Sequence, residues 1–119
     1  IDALVEEFGL TQRVIYSSFN HYALRDLLDA GTRVRIGLLV AEALIDPWVY
    51  AKDLGAAALH PFWMTVMKPG YVEACHHAGI AVNTWTVNNE DVLRGLGMLG
   101  VDAVITDDPE LALRAVGRR

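Results

Sequence analysis

The chain is poor in cysteine, in basic side chains and in long apolar runs. Cys75 is the one cysteine among 119 residues. That excludes an internal disulfide framework and a Cys-rich metal site and fits a reducing compartment; the location stays open, with the cytoplasm favoured. Ten Lys and Arg against fifteen Asp and Glu leave a net charge of −5. Nucleic-acid backbones are gripped by clustered cations, so no nucleic-acid partner is expected. No apolar run approaches the roughly 18 residues of a bilayer span. No charged-then-apolar leader opens the chain, and residue 1 is Ile rather than Met. The expectation is that Ile1 is not the gene's own start and that further chain belongs upstream of it.

What is present is globular: 53% of residues are apolar and 21% charged, which excludes a disordered tail or a fibre. The length allows one domain or less than one, since a domain runs to about 100–200 residues. Runs rich in β-branched residues alternate with helical patterns, as in a parallel βα repeat. The opening segment Asp2–Phe8 predicts a helix with Leu4, Val5 and Phe8 inward, stopped at Gly9. Strands are predicted over Val14–Phe19, Val34–Val40, Ala56–Pro61, Ile80–Val87 and Val101–Thr106. Between them fall a helix from Tyr22 to Ala30 capped by Asn20, and a helix or irregular crossover through Trp48 to Leu54, its pattern interrupted by Pro47. Phe62–Lys68 reads as loop, and Pro69 opens a helix to Ala78. Asn88 or Asn89 caps the next helix, Asp107 or Asp108 caps the last with Pro109 at its first position, and Arg118 and Arg119 read as a frayed end. Five such units fit two architectures. One is a complete open, doubly wound sheet of flavodoxin type; the other is roughly half of a (β/α)₈ barrel, which needs about 250 residues.

In either architecture the working residues lie at the C-terminal ends of strands. That rule selects Ser17, Ser18, Phe19, Asn20, Leu39, His60, Trp85, Asn88, Asn89, Thr106, Asp107 and Asp108. Few of these are strong acids or bases. Gly95–Gly100 spells G-x-G-x-x-G but ends a helix and leads into a strand, the reverse of a dinucleotide site, so it reads as a glycine-stopped helix. Ser17 and Ser18 lack the G-x-S-x-G surroundings of a nucleophile elbow. Cys75 reads as a small buried thiol. His76 and His77 are sequence neighbours on one helix and diverge, so they cannot grip a metal together. His60 is either a loop tether or a substrate contact. Trp85 either fills the core or floors a pocket.

The strand-end residues carry a resemblance. Val14–Phe19 resembles the "vi-x-S-S-F" strand of glycerophosphodiester phosphodiesterases, and Ile36–Leu39 that family's "iG-x-L" strand. Leu59-His60-Pro61 is similar to the short strand that follows. Trp85-Thr86-Val87-Asn88 and Gly100-Val101-Asp102 with Ile105–Pro109 resemble the closing "W-T-V-N" and "GVD-x-(I/V)-I-T-D-x-P" segments. The matches fall in the family's order and cover nearly the whole chain. The resemblance implies a (β/α)₈ barrel, of which residues 1–119 would be strands four to eight with their helices. It implies hydrolysis of a small-molecule glycerophosphodiester to an alcohol and sn-glycerol 3-phosphate, helped by a divalent cation (Ca or Mg). The family's catalytic histidines, in H-R-G and H-D motifs, and its metal carboxylates, in E-x-D and E-x-K, are absent from this sequence. No catalytic residue and no metal ligand is therefore assigned here, and the chain alone is expected to be inactive. The resemblance gives Phe19 and Trp85 as substrate-binding residues against the glycerol moiety, with Ser18, Leu39 and His60 around them. Unpaired barrel edges imply a tendency to self-associate. A non-enzymatic half-barrel or flavodoxin-like binding module is the alternative.

Overall fold

A computed structural model describes residues 1–117; the expected frayed end at Arg118 and Arg119 lies outside them. Five parallel strands, β1 (Ile15–Ser18), β2 (Arg35–Val40), β3 (Ala58–Pro61), β4 (Ala81–Thr84) and β5 (Ala103–Val104), form one sheet. Their spatial order is their chain order, β1-β2-β3-β4-β5. This settles the two architectures that the sequence left open. A doubly wound sheet reverses direction at a switch point, whereas a barrel adds each strand beside the last. The sheet is five βα units of a (β/α)₈ barrel.

Right-handed crossovers between sequential neighbours put the connecting helices on one face. They are α2 (His21–Asp29), α3 (Pro47–Leu54), α5 (Tyr71–His77) and α6 (Glu90–Leu99), with α7 (Pro109–Ala115) after β5. Alternation along each strand then sorts side chains into two sets. Ile36, Leu38, Leu59, Val82 and Thr84 point to the helices and are all but inaccessible. There they meet Leu24, Ala51, Val72, Cys75, Leu93 and Leu96 in the main core. The other set forms the concave face, and one register row of it is Ser17, Gly37, Ala58 and Ala81. Of the three alanines that open the third predicted strand, Ala58 stands in this row, while Ala56 packs in the main core.

Several local expectations change. The first helix, α1 (Asp2–Glu7), buries Val5, but Leu4 and Phe8 are exposed, at 55% and 69%. Pro47 opens α3 at its first position, where its missing N–H costs nothing, and does not interrupt it. Phe62–Lys68 is not all loop: α4 (Trp63–Val66) is a single turn, fixed where Thr65 Oγ1 donates to the Phe62 carbonyl at 2.8 Å. The helix expected at Pro69 begins at Tyr71, because Gly70 sits in the left-handed region at φ 84° and turns the chain first. The last strand is only two residues long, although backbone bonds to its neighbour continue past it: the Ile105 amide donates to the Thr84 carbonyl and its carbonyl accepts from the Val87 amide. Among the described residues no helix is long and apolar enough to cross a membrane.

Candidate functional site

At the C-terminal ends of the strands the concave face opens into a hollow of about 480 Å³. Each strand supplies part of its wall: Ile15, Ser17 and Phe19 from β1 and its end, Leu39 from β2, His60 from β3, Trp85 and Thr86 beyond β4, and Ile105 beyond β5. The site is therefore a product of the topology. Residues up to 90 positions apart in the chain (Ile15 to Ile105) meet because all strand ends share one rim.

The aromatic wall is tightly specified. Asn20 caps α2, its Oδ1 accepting from the Ala23 amide at 3.2 Å, so only Phe19 and Asn20 separate strand from helix. His21 then ties this turn to its neighbours: its Nε2 lies 2.9 Å from the Leu39 carbonyl and its Nδ1 2.9 Å from the Tyr50 hydroxyl. Trp85 is anchored three times to β3 and α4. Its Nε1 donates to the His60 carbonyl at 2.6 Å, its amide to the Pro61 carbonyl at 3.2 Å, and its carbonyl accepts from the Trp63 amide at 2.9 Å. Phe19 and Trp85 meet edge to face, centroids 5.7 Å apart at 89°, and Phe62 backs Trp85 at 5.4 Å. Such T-shaped pairing suits the ring quadrupoles and holds two flat apolar surfaces around the opening. Trp85 lines a pocket and does not fill the core.

Beneath the aromatics lies a polar cluster. His60 is buried, at 3% exposure. Its Nδ1 lies 2.8 Å from Ser17 Oγ and its Nε2 3.0 Å from Asn83 Nδ2. Of the two readings of His60, this geometry shows a tether through both ring nitrogens that also faces the hollow. Burial holds its pKa below the usual 6.5, so the ring is neutral near pH 7. The reach of the ring depends on Gly37. A Cβ built there would lie 2.7 Å from both Cδ2 and Cε1 of His60 and closer still to Nε2.

The remaining candidates take structural places. Ser18 lies on the helix-facing side of β1, where its hydroxyl accepts from the Asn20 amide at 2.9 Å; its neighbour Ser17 lines the hollow. Asn89 caps α6, and Asp108 caps α7 through the Leu111 amide. Asn88 instead joins two rim loops, accepting from Thr106 Oγ1 and the Asp107 amide and donating to the Asp107 carboxylate, each at 2.9 Å. Gly95 and Gly97 are inside α6, and Gly100 ends it at φ 84°, so G-x-G-x-x-G is a helix stop here. Cys75 is buried, and burial together with Asp102 pushes its thiol up to about 11. His76 pairs with Asp102 at 2.7 Å while His77 takes no part.

The wall holds no carboxylate, and among the described residues no group of three or more His, Cys, Asp or Glu side chains could hold a metal ion. A divalent cation wants several hard oxygen ligands. The residues present do not fit one. The sequence shows Gly37 only as the glycine of the iG-x-L strand, and it gives Asn83 and His21 no place in the site. The first two share the concave parity of Ser17 and His60, a signal that exists only once the register is known.

The model of the glycerophosphoryl diester phosphodiesterase family matches residues 1–111. The chain is 39% identical over 112 residues to a glycerophosphodiester phosphodiesterase of Caldanaerobacter subterraneus, covering 94% of this chain and 46% of that protein. It is 28% identical over 114 residues to one of Bacillus altitudinis, covering 92% and 45%. Among solved structures, a glycerophosphodiester phosphodiesterase from Parabacteroides distasonis aligns with a TM-score of 0.84 at 26% identity, over 97% of this chain and 48% of that one. An Oleispira antarctica phosphodiesterase, solved in complex with the product sn-glycerol-3-phosphate, aligns with a TM-score of 0.80 at 24% identity, over 97% and 48%. The chain spans about half the length of the curated relatives it matches.

Proposed function

Because the chain belongs to the glycerophosphoryl diester phosphodiesterase family, we propose that it forms the five-strand part of a domain that hydrolyses glycerophosphodiesters. The products would be an alcohol and sn-glycerol 3-phosphate. Cleaving such a diester needs charge neutralisation at the phosphoryl oxygens and a proton for the leaving alkoxide. The hollow offers neither a carboxylate cluster nor a protonated base. In this reading the cation, Ca²⁺ or Mg²⁺, and the acid and base come from chain outside these 119 residues, which would supply strands one to three. These residues contribute the substrate wall: Phe19 and Trp85 against the glycerol carbons, Leu39 beside them and His60 below.

The carrying observation is the T-shaped Phe19–Trp85 pair at the mouth of a hollow walled by residues in or just beyond each of the five strands. Two measurements test the proposal. The coding DNA upstream of Ile1 should hold an in-frame segment with H-R-G, E-x-D and E-x-K; a start codon just before Ile1 would favour a non-catalytic binding module. The purified 119-residue chain should release no glycerol 3-phosphate from glycerophosphocholine with either cation, and metal-dependent release would overturn the division of labour. Self-association through the unpaired edges of β1 and β5 is part of the same reading, and sedimentation at rising concentration tests it.

A further inference from the structure

The hydrogen-bonded chain Ser17–His60–Asn83 has a direction. Asn83 presents its amide nitrogen, which can only donate, to His60 Nε2 at 3.0 Å. Nε2 is therefore the accepting nitrogen, and the single proton of the neutral ring sits on Nδ1. From there it is donated to Ser17 Oγ at 2.8 Å. A nitrogen that already carries a proton cannot take one, so His60 does not activate Ser17 as a nucleophile. Ser17's own hydroxyl hydrogen has no acceptor among the described residues, and the residue is exposed at the wall of the hollow. Gly37 makes the arrangement possible, since the His60 ring crosses β2 over the space where a side chain would stand.

We propose that Ser17 is a ligand-contacting residue. Its hydroxyl, oriented by His60 and Asn83, donates a hydrogen bond to an acceptor oxygen of a polyol phosphate seated under Phe19 and Trp85. His60 and Asn83 are positioning residues, and the directed donor is their contribution to specificity. The proposal rests on the substrate class given above but assigns a contact that the class alone does not. It also gives Ser17 a role distinct from that of Ser18, which lies on the other face of the same strand.

The test uses the 119-residue chain labelled with ¹⁵N-histidine and ¹⁵N-tryptophan. Long-range proton–nitrogen correlation should show His60 as the Nδ1–H tautomer; an Nε2–H tautomer overturns the proposal. The Trp85 indole signal, assigned through Trp85→Phe, should shift saturably with millimolar sn-glycerol 3-phosphate. Ser17→Ala should weaken that binding about tenfold or more, the scale of one hydrogen bond to a ligand oxygen, and Ser17→Thr should restore most of it. Asn83→Asp, which cannot donate to Nε2, should change the His60 nitrogen signature and weaken binding as Ser17→Ala does. Parallel titrations with glycerol and with inorganic phosphate identify the acceptor, since Ser17→Ala weakens only the ligand whose oxygen it contacts. Unchanged affinity in Ser17→Ala overturns this inference and leaves the family reading intact. No saturable binding by the unaltered chain overturns this inference together with the substrate-wall role proposed for Phe19 and Trp85, and family membership stands apart from it.

Discussion

Gly37→Ala should be among the most damaging single-methyl additions on the concave face. The residue is buried within β2, and its φ lies outside the left-handed region, so alanine fits the backbone without strain. By itself the change would stabilise by about 0.4–1 kcal/mol, because it restricts the unfolded chain. The new methyl, however, lies 2.7 Å from two carbons of the His60 ring. The ring cannot swing away cheaply, being buried and held at both nitrogens. Overpacking of this kind costs about 1–3 kcal/mol, and ring nitrogens torn from their partners in a buried site cost a similar amount. The expected net loss is about 2–4 kcal/mol, read as a lowered urea midpoint at unchanged slope in tryptophan fluorescence. The decisive control is His60→Ala. In that background the clash is gone, and Gly37→Ala should be neutral or stabilising, giving a coupling of about 2 kcal/mol or more between the two sites. A Gly37→Ala loss under about 0.5 kcal/mol, or equal losses in both backgrounds, would refute the reasoning.

Three further outcomes are expected. Burial lowers the pKa of His60 from 6.5, so the unfolded chain binds a proton that the folded chain refuses. Its contribution to stability is complete above about pH 6.5 and falls away as the pH drops toward the lowered folded value. Urea midpoints measured across that range should show the fall, and His60→Gln should flatten it. Asn20→Ala removes the α2 cap that accepts from Ala23 and should cost about 1 kcal/mol in the same denaturation assay; no change would mean that the cap does not set the Phe19 turn. Cys75, buried and with its thiol pushed up to about 11, should react with a thiol reagent near pH 8 only as fast as the protein opens. Prompt modification of the folded chain would contradict its placement in the core.

Local chemistry was readable wherever it was self-contained. Asn20, Asn89 and Asp108 cap their helices through amides three residues on, and the strand runs follow hydrophobic pattern alone. The barrel could not be told from a doubly wound sheet because periodicity carries no spatial order, and order came only with strand pairing. Ser17 and Ser18 show why the site was harder. Adjacent residues of one type sit on opposite faces, and which of them meets the hollow depends on a register set by β2. Ser17 and Asn83 join His60 from 43 and 23 positions away, and Gly37 acts through the absence of a side chain, a property that no spacing rule records. Where the prediction failed locally, as at Pro47 and at Phe62–Lys68, short-range turn chemistry decided the outcome.

The row Ser17, Gly37, Ala58 and Ala81 gives four adjacent strands almost nothing to project into the bowl. At Gly37 the room so left is taken by the His60 ring, so what one strand withholds lets the next strand reach across the base of the bowl.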